Sequence, residues 1–581
     1  MTRNRKGTVL RILKYLLANK IAVICALTLT LLSNYFALIG PKLSGLAIDA
    51  IGTTPGNVNF KVVFHYCILM IFFYVLSSIL GYIIQIILIN VSSKVTLKMR
   101  EEVFNHLLTL PIGYFDKNQV GDIISKISYD IDTINTSLSS DLITVLTSVI
   151  TVVVSALMMI SISPQLCIIF LFTVPLIIIF TRYRTKKVKP LFSKRSRKLG
   201  ELNGFVEEML SGYKTIKAYG QEDTIVAKFD EQNTAAVDAY YDSDYQGSVV
   251  GPSVNFINNL SLSFVSMFGA LLYLMGNITI GNISSFVLYS RKFSGPISET
   301  ANILADLQSA ISAAERVFRL LDEPSEIKDI DHATVLEDIQ GNVNCEHVKF
   351  GYVEGKEIIH DLSFEALAGK MIAIVGPTGA GKTTIINLLM RFYDVNAGKI
   401  LVDNHRIDEC TRDSLRKQYA MVLQDTWLFS GSIFDNVAYG KDDATIEEVV
   451  KVCKAAHVHD FIETLKDGYD TILTDDGVNI SKGQKQLLTI ARAMLSESKM
   501  LILDEATSNV DSRTEMIIQK AMLELCKGKT SFVIAHRLST IKNADIILVL
   551  QNGSVIESGT HEELLQGHGF YSKLFNAQFE N

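Results

Sequence analysis

A chain of 581 residues is longer than one hydrophobic core usually organises, so at least two domains are expected. Its apolar residues, 48% of the total, gather in the first half as runs of about 20 residues, which excludes a wholly soluble protein. The net charge of -6 selects no acidic or basic partner, because the charges are segregated along the chain.

In chain order, residues 1–20 are basic and weakly amphipathic, with no small-residue cleavage site after the first apolar run; they are expected to persist as an interfacial helix leading into the first span. Six apolar segments follow, at about 20–51, 62–91, 142–162, 166–183, 249–275 and 278–296. Lys and Arg collect on the cytoplasmic face of membrane proteins. Here Arg3, Arg5, Lys6, Arg11 and Lys14 crowd the N-terminal tail, and nine Lys or Arg lie between positions 182 and 198. Segments 161–165 and 276–278 carry no charge, and 52–61 a single Lys. Six spans with this sorting predict a multi-pass plasma-membrane protein with both chain ends in the cytoplasm. The 182–198 cluster abuts a span, so it reads as a topology signal and no nucleic-acid partner is expected.

Segments 92–141 and 184–247 are too long for loops and carry helical periodicity, so the spans are expected to run on as helices beyond the bilayer. Span five places Asn255, Asn259 and Ser266 near one face, and span six carries Ser285, Tyr289, Arg291 and Lys292. Two readings stand side by side: these groups line a cavity for a small amphipathic substrate, or they pair between helices and snorkel at a helix end. The seven cysteines form no CxxC pair; Cys25, Cys67 and Cys167 lie in apolar runs and read as small packing residues, with no disulfide framework or zinc site expected.

A polar stretch follows at 322–341, and from 342 onward short β-branched runs alternate with helical ones. The expected domains are therefore a transmembrane domain at 1–321, a linker at 322–341, and an α/β domain with a largely parallel sheet at 342–581. Within the last, the buried strand 371–375 leads into Gly376, Pro377, Thr378, Gly379, Ala380, Gly381, Lys382, Thr383 and Thr384 and then a helix, the context of a phosphate loop. Its glycines let backbone N–H groups converge on phosphate, Lys382 reaches the β- and γ-phosphates, and Thr383 can ligate Mg²⁺. A second apolar strand ends in Asp504 and Glu505, a carboxylate for the Mg²⁺ shell and one to polarise the attacking water. His536 follows a third apolar strand and would emerge on the same edge.

Between these lies Ile480-Ser481-Lys482-Gly483-Gln484, opening a helix. In this order the motifs resemble the ATP-binding-cassette family, whose signature is Leu-Ser-Gly-Gly-Gln. The resemblance implies that Tyr352 stacks on adenine and that Gln424 senses the transmembrane domain and shares the Mg²⁺ shell through water. It also makes Ser508-Asn509-Val510-Asp511 the D-loop and His536 the switch histidine. Tyr114-Phe115-Asp116, Gly121-Asp122 and the segment 208–219 resemble the coupling segments of exporters; Trp427 would lie beside Gln424 at their interface, or serve as core. The implied fold is a six-helix transmembrane domain with long cytoplasmic helix extensions followed by an α/β nucleotide-binding domain.

In this family Ser481, Gly483 and Gln484 would close on ATP held by a second cassette, so a chain with one cassette must pair. Lys482 replaces a signature glycine while the phosphate loop, Asp504, Glu505 and His536 are intact. That combination resembles the catalytically complete half of heterodimeric bacterial multidrug exporters, with a homodimer as the alternative. The implied activity is ATP-driven efflux of hydrophobic or amphipathic compounds by alternating access. A lipid flippase, a peptide or haem-type exporter, or an ATP-gated regulatory protein shares the architecture.

Overall fold

The computed structural model describes residues 5–52, 58–353, 355–424, 426–473, 480–504, 511–535 and 538–579. It divides into two compact units: Met1–Leu108 with Gln119–Glu323, and Thr109–Asn118 with Pro324–Asn581.

The first unit is helical. Its elements are α1 (Arg5–Leu17), α2 (Lys20–Ile51) and α3 (Phe60–Leu107); then, beyond the short α4 (Ile112–Lys117) of the other unit, α5 (Val120–Ser125), α6 (Ile131–Thr136), α7 (Leu142–Ile162), α8 (Pro164–Ser211), α9 (Tyr213–Tyr219), α10 (Glu222–Ser248), α11 (Val250–Leu274) and α12 (Ile280–Leu321). Side-chain caps start the long helices: Asn59 accepts from Val62 N, Ser163 from Leu166 N ahead of Pro164, and Thr279 from Asn282 N. The 48 residues of α3, and the 48 of α8, span about 72 Å at 1.5 Å per residue, far more than a bilayer's apolar thickness. The expected extensions are thus present as helix, α3 running on to Leu107 and α8 to Ser211, with the rest divided among shorter helices. Along α3 the side chains of Phe64, Ile68, Ile71, Phe72, Val75 and Ile79 are all more than half exposed, an apolar surface suited to lipid. Among the described residues, five helical runs are long and apolar enough to cross a membrane: Lys20–Ile51, Phe60–Leu107, Val120–Ile162, Pro164–Ser211 and Glu222–Leu274. The sixth expected segment is the first part of α12, where Arg291 and Lys292 interrupt the apolar run.

Helix α12 packs on α2 and α7, and its seam with α2 is tight. Asp49 accepts from Thr279 Oγ1 and from Gly281 N, both at 2.8 Å; Ser285 Oγ donates to Pro41 O at 2.8 Å and Tyr289 Oη to Leu38 O at 2.6 Å. Ser285 and Tyr289 are buried in this seam, so they take the helix-pairing role and do not line a cavity. Asn255, Asn259, Ser266 and Arg291 are exposed. Cys25 and Cys67 are also exposed, which corrects their reading as packing residues: each sits on the outward side of its helix. Two π-helical turns, Lys126–Asp130 and Ser137–Asp141, interrupt the run from α5 to α7, and buried Asp130 accepts from Arg316 Nε at 2.8 Å and Nη2 at 2.5 Å.

The second unit carries β1 (Val343–Phe350), β2 (Ile359–Ala366), β3 (Met371–Val375), α13 (Lys382–Leu389), β4 (Ala397–Val402), β5 (His405–Arg406), α14 (Arg412–Lys417), β6 (Tyr419–Val422), β7 (Gly431–Ser432), β8 (Ile472–Leu473), β9 (Met500–Asp504), β10 (Thr530–Ile534), β11 (Ile546–Gln551) and β12 (Ser554–Gly559). Among the described residues, ten strands form one sheet in the order β5-β4-β1-β2-β12-β11-β3-β10-β9-β6. The sector β11-β3-β10-β9-β6 is parallel, while β5, β4, β1 and β2 are antiparallel neighbours. That half departs from the largely parallel sheet expected, for a reason of chain length. The link from β1 to β2 is too short for a crossover helix, and β4 returns into β5 through Asp403 and Asn404, both at positive φ (45° and 68°), a two-residue hairpin turn.

The segment leading into β1 is fastened rather than free. Glu326 pairs with Arg416 at 2.5 Å, Asp329 with Arg412 at 2.9 Å, and the Asp403 carboxylate accepts from the backbone N–H groups of Gln340, Gly341 and Asn342. Helix α4 is tied beside it, with Glu326 N donating to Thr109 O at 2.8 Å.

Candidate active site

Four adjacent parallel strands point their C-terminal ends to one edge. The register aligns Ile374 of β3 with Ile534 of β10, Ile534 with Asp504 of β9, and Leu503 with Val422 of β6. Whatever follows each strand is therefore gathered there, the usual ligand edge of a parallel sheet. After β3 comes the loop 376–384, turning through Gly379 (φ 82°) and Gly381 (φ 101°); a Cβ on Gly381 would stand 2.7 Å from Ile359 Cδ1, so the loop fits tightly over β2. Ala380 and Thr384 are buried and Thr383 is exposed at the start of α13. Lys382 Nζ donates to the carbonyls of Gly376 (2.7 Å) and Pro377 (3.1 Å), which holds the ammonium over the loop. Burial lowers its pKa and the field of Asp504 opposes that shift, as expected for a carboxylate facing the loop.

Gln424 follows β6 and is exposed. Glu505, Ser508, Asn509, Val510 and His536 lie outside the described residues. Asp511 caps the helix Ser512–Cys526, accepting from Thr514 N at 3.0 Å and Arg513 N at 3.1 Å, and these backbone donors hold its carboxyl below the usual range. Tyr352 lies between the loop and β1: its hydroxyl donates to Thr384 Oγ1 at 3.3 Å and accepts from Asn387 Nδ2 at 3.1 Å, and its ring meets Phe350 and Tyr393 edge to face, each at 4.9 Å. A hydroxyl at Thr383 and a carboxylate at Asp504 form a hard oxygen donor set that suits Mg²⁺ bound with a nucleotide.

The signature residues stand on a separate helix, Lys482–Leu495, and among the described residues they make no hydrogen bond to the phosphate loop. Ser481 and Gln484 form a capping box: Gln484 N donates to Ser481 Oγ at 3.2 Å and Ser481 N to Gln484 Oε1 at 2.8 Å. Gly483 is buried and Lys482 projects outward from the first helical position. Trp427 is 61% exposed, edge-on to Phe429 at 4.2 Å, which rules out a plain core role. Sequence reading missed Asn387 and Tyr393, neighbours of Tyr352 whose residue types carry no motif.

A phosphate loop, a facing carboxylate and a signature helix, carried in one chain with long membrane-length helices, define an ATP-hydrolysing transporter. Comparison with known proteins gives the class its name. Family models described as "ABC transporter transmembrane region" and "ABC transporter" match residues 23–297 and 359–508. A Mycobacterium tuberculosis protein named "Fatty acid ABC transporter ATP-binding/permease protein" is 43% identical over 532 residues, 91% of this chain and 84% of the relative. A Staphylococcus aureus protein whose name carries the words "multidrug export ATP-binding/permease protein" is 33% identical over 573 residues, 98% of this chain and 99% of the relative. A solved structure of a bacterial Atm1-family ABC exporter with ATP bound superposes with a TM-score of 0.77 at 30% identity, covering 96% of this chain and 98% of the other. The chain belongs to the ABC transporter family, with the fold of its exporters. It is a multi-pass membrane protein and a half-transporter that works as a dimer.

Proposed function

We propose that this chain is the catalytically complete half of a heterodimeric exporter that drives hydrophobic or amphipathic compounds out across the plasma membrane, with the nucleotide-binding unit and both chain ends in the cytoplasm. The observation that carries the reading is the single edge on which the phosphate loop, Lys382, Asp504 and Gln424 meet, joined in one chain to a signature helix in which Lys482 replaces glycine.

In the mechanism, Lys382 and the loop's backbone N–H groups hold the phosphates, and Tyr352 stacks on the base. Thr383, Asp504 and, through water, Gln424 would hold Mg²⁺, which neutralises phosphate charge when bound with the nucleotide. Glu505 positions the attacking water and His536 contacts the γ-phosphate. Ser481, Gly483 and Gln484 close on the partner's ATP, with Asp511 beside that junction. Two bound ATP draw the cassettes together, the coupling segments α4 and α9 carry that movement, and the cavity turns outward; hydrolysis resets it.

Exposed Asn255, Asn259 and Ser266 on α11 support a polar cavity wall, since such groups do not stay in contact with lipid. The relative named for fatty acids favours a second reading within the amphipathic class: an anionic lipid-like substrate, whose carboxylate would suit Arg291 and Lys292. Glu505→Gln in lipid vesicles tests the core of the proposal. ATP binding should persist while hydrolysis falls about 100-fold or more; unchanged turnover would remove Glu505 from the chemistry.

A further inference from the structure

Helix α4 reaches the adenine-side aromatic through a continuous run of side chains. Gly113 lies against Tyr393: a Cβ there would stand 3.0 Å from Tyr393 Cε1 and 3.1 Å from its hydroxyl, so a side chain would press on the ring. Asp116, one turn on, accepts a hydrogen bond from the Tyr393 hydroxyl. The Tyr393 ring then meets Tyr352 at 4.9 Å and 84°, and Phe350 meets Tyr352 at 4.9 Å and 85°.

These contacts divide the control of Tyr352 in two. The hydroxyl bonds to Thr384 and Asn387 fix where the tip of the ring lies. Neither fixes rotation about the axis from Cβ to the hydroxyl, a broad torsion that only neighbours can set. Phe350 is buried in β1 and cannot move independently. Tyr393 is only partly buried, and Asp116 is the group that holds its far end. Burial and the Asp116 carboxylate both push the Tyr393 hydroxyl pKa up, so it stays a donor across neutral pH.

We propose that Tyr393 is a positioning residue for the base of ATP: held by Asp116 of α4, it sets the plane of the Tyr352 ring, so affinity for the base depends on α4 being seated. This rests on the reading of Tyr352 as the adenine-stacking aromatic. The test uses the full chain in lipid nanodiscs with EDTA present, measuring equilibrium binding of ATP and of inorganic tripolyphosphate, which has the phosphates without the base. Tyr393→Phe keeps the ring and removes the hydroxyl; Asp116→Ala removes its acceptor. Each should weaken ATP binding about threefold to tenfold and leave tripolyphosphate binding unchanged, and the double variant should be no worse than either single one. Three results overturn the inference. ATP affinity unchanged in both variants, while Tyr352→Ala weakens it, leaves the adenine reading standing and removes Tyr393 from it. Equal losses for ATP and tripolyphosphate make Tyr393 a general support of the fold. Unchanged ATP binding in Tyr352→Ala takes away the adenine reading and this inference with it.

Discussion

Ser481 carries two duties that a single substitution would confuse. Its hydroxyl caps the signature helix, and in the proposed dimer the same hydroxyl faces a phosphate of the partner's ATP. Ser481→Ala loses both, at about 1 kcal/mol for the cap alone. Ser481→Asp separates them, because an aspartate caps as well as a serine but sets a negative charge against the triphosphate. It should leave the melting temperature unchanged and still weaken ATP binding at the partner's site in a binding titration of the assembled dimer; unchanged binding there would reduce Ser481 to a capping residue. Lys382 has a simpler task, and Lys382→Ala should weaken ATP binding at least about tenfold, the loss of one charge-assisted bond, in a direct binding titration.

At the scale of elements, the α2–α12 seam depends on the absence of side chains. A Cβ on Gly281 would fall 2.0 Å from the carbonyl oxygen of Gly45, a backbone atom that cannot rotate away. Gly281→Ala must therefore push the helices apart, an overpacking cost of about 1–3 kcal/mol, whereas Tyr289→Phe forfeits one interhelical bond worth about 0.6 kcal/mol in a membrane protein. Thermal unfolding in detergent should rank Gly281→Ala below Tyr289→Phe, and the reverse order would mean that α12 does not rest on α2. This seam also marks the limit of sequence reading. Apolar run length reveals that α2 and α12 are helices, but Ser285 and Tyr289 look alike whether they line a cavity or bond to the carbonyls of Pro41 and Leu38. The edge proposed to bind phosphate was legible as a shared edge because its described residues follow short apolar strands, and parallel register does the rest. The antiparallel half was not, since its direction is set by link lengths and by a hairpin turn at Asp403 and Asn404. Nor was the pairing of Asp116 with Tyr393, which joins residues 277 positions apart with no periodicity to betray it.

For the whole molecule the open issue is whether two copies suffice, and Lys482 is where it is decided. An exposed ammonium at the first position of the signature helix would be carried into both composite sites of a homodimer, but into only one of a heterodimer. Lysine at a helix N-terminus already opposes the helix dipole, so local helix stability gives no reason for its presence. Its bulk, where glycine would allow close approach to a triphosphate, argues that the site it faces is the slow one. The chain purified alone in lipid should then hydrolyse ATP weakly, Lys482→Gly should raise that activity several-fold, and co-expression with a partner half-transporter should raise it without any substitution. Strong activity of the unmodified chain alone, unchanged by Lys482→Gly, would establish a competent homodimer in which the lysine is tolerated.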